Sequence, residues 1–211
     1  MAAAKSARRR QDLLQAASRV ISERGLSGAS VRAVAERAEM SAGSVLYHFE
    51  SIDQLVEAAV RGAIEEFIDN RRSLSEAHRD PIARLRATIE AGIPERISDD
   101  LRVVYEASAV TREKSRFRSY MSLLLERQVA LYNTIIEVGV ALGAFRPRMD
   151  PLAIASNLVA LEDAYDLYLL DPDNWERDRY LQNTLRFAEI ALDCVLIDGD
   201  AAPETDSEES P

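Results

Sequence analysis

Residues 25–55 read GLSGASVRAVAERAEMSAGSVLYHFESIDQL, and this stretch decides the fold. It predicts two short helices joined by a tight turn, followed by the start of a longer helix. Ser30 and Ser41 stand where the N-caps of the two short helices belong. This order is that of a helix-turn-helix, a unit whose second helix fits the major groove of DNA.

Helical periodicity continues on both sides of this stretch, because apolar residues recur at intervals of three and four rather than two. Gly25 ends the preceding helix, and Ser51 with Gln54 forms a capping box for the following one. Asp80-Pro81 and Asp150-Pro151 mark two later helix starts. We therefore predict an all-α protein of about nine helices. They cover residues 8–24, 31–38, 42–48, 52 to about 76, 81 to about 93, 98–109, 113–142, 151–170 and 175–197.

Two domains and a tail follow from this pattern. Residues 1–51 form a three-helix helix-turn-helix domain, and residues 52–197 form a larger helical domain. Residues 198–211 hold six acidic residues, no basic residue and no bulky apolar residue. We expect this acidic tail to be disordered, because it has little apolar surface to bury.

Charge is distributed unevenly along the chain. The formal net charge is −10, which by itself argues against a nucleic-acid partner. Residues 1–50, however, hold 8 Lys+Arg against 5 Asp+Glu, a net charge of +3, so the remaining residues carry −13. The basic part coincides with the helix-turn-helix, and a polyanion needs a basic module. Double-stranded DNA is therefore the expected partner.

The sequence carries no pattern typical of an enzyme. It has no metal-ligand spacing, no glycine-rich phosphate loop and no nucleophile elbow, and its two histidines, His48 and His78, lie thirty residues apart. We expect no catalytic residue, no metal and no cofactor. No apolar run reaches the roughly 18 residues that span a membrane, and no apolar segment follows the basic N-terminus. A cytoplasmic protein without a membrane partner is expected, bound to the nucleoid when it holds DNA.

Candidate DNA contacts follow from the second helix of the helix-turn-helix. Small residues at its start let the backbone approach phosphates, and serine hydroxyls there can donate to them. Tyr47 and His48, one turn later, can reach the DNA backbone, and Val45 is placed to face a thymine methyl. Arg32 and the upstream arginines suit phosphate contacts. The candidate set is Arg8, Arg9, Arg10, Arg32, Ser41, Ala42, Ser44, Val45, Tyr47 and His48.

Residues 13–56 resemble the DNA-binding domain of the TetR family of bacterial transcriptional regulators. The resemblance rests on an Ala-rich first helix ending at Gly25, on ASVRAVAERA at 29–38, and on GSVLYHF at 43–49. It implies an all-helical homodimer with three DNA-binding helices and a C-terminal ligand domain of about six helices. Residues around 103–170 also resemble the C-terminal type found in BetI.

Three residues depart from the family pattern. Glu39 stands where the turn usually has glycine, and a positive φ there would cost about 1 kcal/mol. Leu46 replaces a common phosphate-binding tyrosine, and Ile52 replaces a common lysine. The last two changes predict fewer phosphate contacts and a weaker dependence of DNA binding on salt.

The predicted helix after Pro151 carries a cluster of carboxylates. Glu162, Asp163 and Asp166 project within about 100° of arc, so they repel one another unless a cation offsets them. One hypothesis is a cationic small-molecule effector bound by these acids and by aromatic rings, namely Tyr105, Tyr165 and Trp175. The other is interface ion pairing with arginines of the last helix, from the same chain or from its dimer partner, namely Arg177, Arg179 or Arg186.

The resemblance also implies how the chain would act. The helices at about 151–170 and 175–197 would form the homodimer. Its two helix-turn-helix domains (the heads, residues 1–51 of each chain, as distinct from the body, residues 52–197) would bind a palindromic operator one DNA turn apart. Most members of the family repress, so the expected function is a repressor that leaves its operator when a small-molecule effector binds in the larger domain; activation and a co-repressor logic are the alternatives. A further alternative is a DNA-binding dimer without a small-molecule effector, regulated by its concentration or by a protein partner.

Overall fold

The computed structural model describes residues 2–111, 115–166, 168 and 176–196. These residues form nine α-helices and one 3-10 turn at Leu26–Gly28, and no strand occurs among them. The helices are α1 Ala2–Arg24, α2 Val31–Arg37, α3 Ala42–His48, α4 Ile52–Glu76, α5 Pro81–Gly92, α6 Asp99–Ala109, α7 Ser115–Ala141, α8 Pro151–Asp166 and α9 Arg177–Leu192. The all-α prediction is confirmed. The acidic tail and Trp175 lie outside the described residues.

Side-chain caps set the helix starts, as the sequence predicts. The Ser41 hydroxyl accepts a hydrogen bond from the Ser44 amide at 3.2 Å, and the Ser51 hydroxyl accepts one from the Gln54 amide at 3.2 Å. Such a cap satisfies one of the amides that a helix N-terminus leaves unpaired. The same arrangement begins α2, α5, α6 and α8, with Ser30, Asp80, Ser98 and Asp150 as the caps.

The N-terminal helix is longer than predicted. α1 begins at Ala2, whereas the sequence pattern placed its start near residue 8. Residues 2–10 read AAAKSARRR, which contains strong helix formers and neither glycine nor proline. The arginines at 8–10 therefore lie within the helix, and all three are exposed.

Two clusters of buried apolar side chains hold the helices together. The first joins α1, α2, α3 and α6 to the first half of α4, with Leu13, Val45, Leu55 and Val103 fully enclosed. The second joins α5, α7, α8 and α9. Its largest buried residues are Leu85, Ile89, Tyr132, Ile136, Phe145, Leu158 and Leu185.

α4 connects the two halves of the molecule. Its 25 residues extend about 37 Å at 1.5 Å per residue. Val56 and Val60 belong to the first cluster, whereas Arg71 lies among residues of α5, α7 and α8. None of the described helices is apolar enough over sufficient length to cross a membrane. The domain boundary after residue 51 stays a prediction.

Candidate nucleic-acid interface and effector pocket

α3 presents one side to solvent and buries the other. Val45 and Phe49 lie four residues apart and point into the first cluster, where each is 1% exposed. On the opposite side Tyr47 is 82% exposed and Leu46 is 51% exposed. These two buried side chains, about one helical turn apart, hold the helix in place, so its outer side keeps a fixed orientation.

The start of α3 is open. Ser41, Ala42 and Gly43 are exposed, and Ser44 is half-buried with its hydroxyl 3.8 Å from the Met40 sulfur. The first amides of the helix and two hydroxyls are thus near the surface, which suits an anion such as phosphate.

Val45 corrects one prediction from the sequence. Its side chain is 1% exposed and packs in the first cluster, so it cannot face a thymine methyl. Its i, i+4 relation to Phe49 was the signal that it anchors the helix.

The turn before α3 has the backbone conformation that the sequence suggested. Glu39 has φ 55°, in the left-handed region that favours glycine. The Met40 amide donates to the Ala35 carbonyl at 2.9 Å, which ties the turn to the end of α2. The predicted positive φ at a non-glycine residue is therefore confirmed.

The remaining candidate DNA contacts are accessible. Arg8, Arg9, Arg10 and Arg32 are exposed, and His48 is half-buried with its ring 5.1 Å from the Tyr47 ring. The Arg10 guanidinium lies 4.8 Å from the centre of the Phe49 ring, a cation–π distance. This contact places Arg10 beside the end of α3. Contact of these residues with DNA stays a prediction.

Polar contacts tie the head to the body helices. The Glu106 carboxylate of α6 accepts a hydrogen bond from the Leu26 amide at 3.2 Å. At the N-terminal end of α6, the Ser22 hydroxyl donates to the Asp99 carboxylate at 2.7 Å. Within the larger domain, Tyr120 of α7 donates to Glu57 near the start of α4 at 2.8 Å. Movement of α6 or α4 would therefore displace the helix-turn-helix.

The centre of the predicted acid cluster is occupied by an internal ion pair. Glu162 is buried, and both of its oxygens accept from one Arg71 nitrogen, at 2.9 and 3.0 Å. The Tyr132 hydroxyl also donates to Glu162, and Gln128 accepts from Arg71. The hypothesis that Arg177, Arg179 or Arg186 offsets Glu162 is wrong for this residue within the chain, because Arg71 of α4 does so.

Burial governs the ionisation of this network. It raises the pKa of Glu162 from 4.5 to about 7, although the Arg71 guanidinium and the Tyr132 hydroxyl act in the opposite direction. Burial likewise raises the pKa of the Tyr132 phenol well above its usual value. Gly92 of α5 packs against the carboxylate, and a Cβ at this position would overlap it. Residues of α4, α5 and α7 thus enclose the Glu162 carboxylate.

The structure does not gather the other predicted ligand residues around Glu162. Tyr165 stacks on Tyr180 of α9, with ring centres 4.6 Å apart, and Asp163 is exposed. Tyr105 lies on α6, which packs mainly on α1 and α4. The Asp166 side chain and Trp175 lie outside the described residues. The grouping of these residues around one ligand is therefore not supported.

A pocket that the sequence did not predict lies between α4, α5 and α7. Its volume is about 520 Å³, and Arg71 forms part of its wall. The other lining residues are Ile68, Asp69, Arg72, Glu76, Arg84, Arg127, Gln128, Ala130, Leu131 and Thr134. A second groove, of about 700 Å³, follows α1 and α4 and is bordered by Asp99 and Asp100.

Comparison with known proteins agrees with this architecture. Residues 13–59 match the sequence profile of "Bacterial regulatory proteins, tetR family". The HTH-type transcriptional repressor KstR2 of Mycobacterium tuberculosis is 28% identical over 143 residues, which cover 67% of this chain and 72% of that repressor. The HTH-type transcriptional regulator BetI of Burkholderia cenocepacia is 39% identical over 85 residues, which cover 39% of this chain and 43% of that regulator.

A solved structure shares the fold over most of the chain. It is a putative transcriptional regulator from Saccharomonospora viridis in complex with choline, with a TM-score of 0.77 and 22% sequence identity. The superposition covers 87% of this chain and 96% of that one. The relatives matched by sequence are named transcriptional regulators rather than enzymes.

Proposed function

This chain belongs to the TetR family of bacterial regulatory proteins and is a DNA-binding transcriptional regulator, and from that premise we propose that it is a repressor released from a palindromic operator by a small molecule. The observation that carries the proposal is the outer side of α3, where exposed Tyr47 stands beside buried Val45. A rigid short helix with a small, open N-terminus is the shape that enters a major groove.

Dimerisation through α8 and α9 is part of the proposal. Exposed apolar side chains on and around these two helices support it, because an isolated chain would leave them in water. They are Leu142, Met149, Leu152, Ile190 and Val195. A two-fold dimer would set its recognition helices about 34–36 Å apart, one turn of DNA.

Release by an effector would work through α4. This helix lines the 520 Å³ pocket at one end and begins beside α3 at the other. A ligand that binds one tilt of α4 better than another shifts the population of head spacings. A coupling free energy of about 1–3 kcal/mol per site would lower operator affinity several-fold or more. Without such a ligand, the chain would be the DNA-binding dimer regulated by its concentration or by a protein partner.

Selection of bound duplexes from a random DNA pool tests the proposal. We expect enriched sequences with two inverted half-sites. In fluorescence anisotropy on the selected duplex, Tyr47→Ala should weaken binding about tenfold, equivalent to about 1.4 kcal/mol. Leu74→Ala, at an exposed position on α4, is the matched control and should leave affinity unchanged. Absence of any enriched duplex, or enrichment of a single asymmetric half-site, would overturn the proposal.

A further inference from the structure

The pocket between α4, α5 and α7 has the size of a small-molecule site. Its volume of about 520 Å³ lies within the roughly 300–1,000 Å³ range of ligand pockets. Ile68, Ala130 and Leu131 supply the apolar part of the wall, and six charged side chains with Gln128 and Thr134 supply the rest. Ligand pockets are usually lined mainly by apolar side chains, so this wall is unusually rich in charge.

Arginine dominates the charged part of the wall. Four arginines line the pocket, namely Arg71, Arg72, Arg84 and Arg127, against two carboxylates, Asp69 and Glu76.

Existing ion pairs account for two of these arginines. Arg71 is paired with Glu162, which lies behind the wall, and Arg72 is paired with Asp69 at 2.9 Å. Arg84, Arg127 and Glu76 are the remaining charged residues of the wall.

The two remaining arginines can serve a ligand. The Arg84 Nε donates to the Ser75 hydroxyl at 3.0 Å, which orients its guanidinium. Arg127 is exposed and makes no ion pair with any residue that the structure describes. A planar guanidinium presents parallel N–H donors that match a carboxylate or a phosphate.

The same wall is unfavourable for binding a cationic ligand. The carboxylate that the sequence suggested for it, Glu162, is already neutralised by Arg71 and enclosed by Tyr132 and Gly92. A cation entering this pocket would meet a formal excess of positive charge, which repels it.

We infer that this pocket takes a small molecule that joins an anionic group to an apolar body. The anionic group pairs with Arg127 and Arg84, and the apolar body lies against Ile68, Ala130 and Leu131. That this ligand is the effector rests on the proposed function. That it binds in the pocket rests on the lining residues alone.

Calorimetric titration of the full chain tests the inference with three probes that share an eight-carbon chain and with choline, a small cation without one. The probes are octanoate, octyl phosphate, octylamine and choline. We expect saturable binding of octanoate or octyl phosphate and no saturable binding of octylamine or choline. The two anions distinguish a carboxylate site from a phosphate site.

Variants locate the binding. Arg127→Gln should lower the affinity for the anion at least fivefold, and Arg127→Glu should lower it more. Arg102→Gln, at an exposed arginine of α6 outside the pocket, is the matched control, and Arg32→Gln tests adventitious binding to the basic head. Equal affinity in the wild type and in both Arg127 variants would overturn the inference, as would saturable binding of the cations alone.

Operator binding separates this inference from the proposed function. If no anion binds but the chain still holds its selected duplex, the inference is wrong and the DNA-binding proposal stands. If an anion binds at Arg127 and the chain ignores every duplex, the site is real and the proposed function is wrong.

Discussion

Glu39 holds a backbone conformation that its side chain disfavours. Its φ of 55° places Cβ close to the following carbonyl oxygen, a strain of about 1 kcal/mol that glycine avoids. We expect Glu39→Gly to raise the free energy of unfolding by roughly 0.5–1 kcal/mol, since glycine loses part of the gain to backbone entropy. Urea denaturation measures the change.

A second glycine substitution provides the control. Glu36→Gly changes an exposed glutamate within α2, where glycine should cost about 1 kcal/mol. A loss of stability in both variants would contradict the strain at Glu39.

Glu162 should make stability depend on pH. Its folded pKa of about 7 lies above the ordinary 4.5, so the native state holds more protons than the unfolded state between these values. Stability therefore decreases as pH rises through that window, by on the order of 1–3 kcal/mol.

The comparison of wild type with Glu162→Gln isolates this titration, because the other carboxylates titrate in both proteins. We expect the stability of the wild type relative to the variant to fall from pH 4.5 to pH 7 in urea denaturation. A rise across the same range would mean that the Arg71 guanidinium outweighs burial.

At the scale of single elements, Ser41 has two separable roles. Its hydroxyl caps α3, and it lies on the side proposed to face phosphate. Ser41→Ala should lower the free energy of unfolding by about 1 kcal/mol, whereas Ser41→Asp keeps a capping oxygen and should retain stability. Anisotropy should show that Ser41→Asp loses at least tenfold in DNA affinity, because its carboxylate repels phosphate.

Ser98→Asp serves as the control at the cap of α6 in the body. It should change neither stability nor DNA affinity appreciably. Normal DNA binding by Ser41→Asp would contradict the proposed orientation of α3.

Local signals predicted the helix starts, and long-range pairing escaped them. Each capping serine or aspartate acts within three residues of itself, so Ser30, Ser41 and Asp80 could be identified from the sequence alone. The Arg71–Glu162 pair joins residues 91 positions apart, and only the packing of α4 and α8 on α5 and α7 brings them together. For the same reason the arginine-lined pocket, built from three helices, left no pattern in the sequence.

At the scale of the whole molecule, charge would govern where DNA binds, and exposed apolar surface would govern how two chains pair. In the proposed complex the basic residues of the head would face a negatively charged duplex, and the acidic remainder of the chain would be repelled by it. One head alone offers few contacts, because α3 has only seven residues. We therefore expect affinity for an operator to depend on a second head held at a fixed distance.

Disruption of the α8–α9 surface tests this dependence. Ile190 is 66% exposed on α9, and Ile190→Asp would place a charge in the proposed interface. We expect sedimentation to show a folded monomer, since the exposed position contributes little to the chain's own core, and anisotropy to show at least a tenfold loss of operator affinity. Leu74→Asp, equally charged and exposed on α4, should remain dimeric. A dimer with full affinity after Ile190→Asp would mean that the second head is held by another surface.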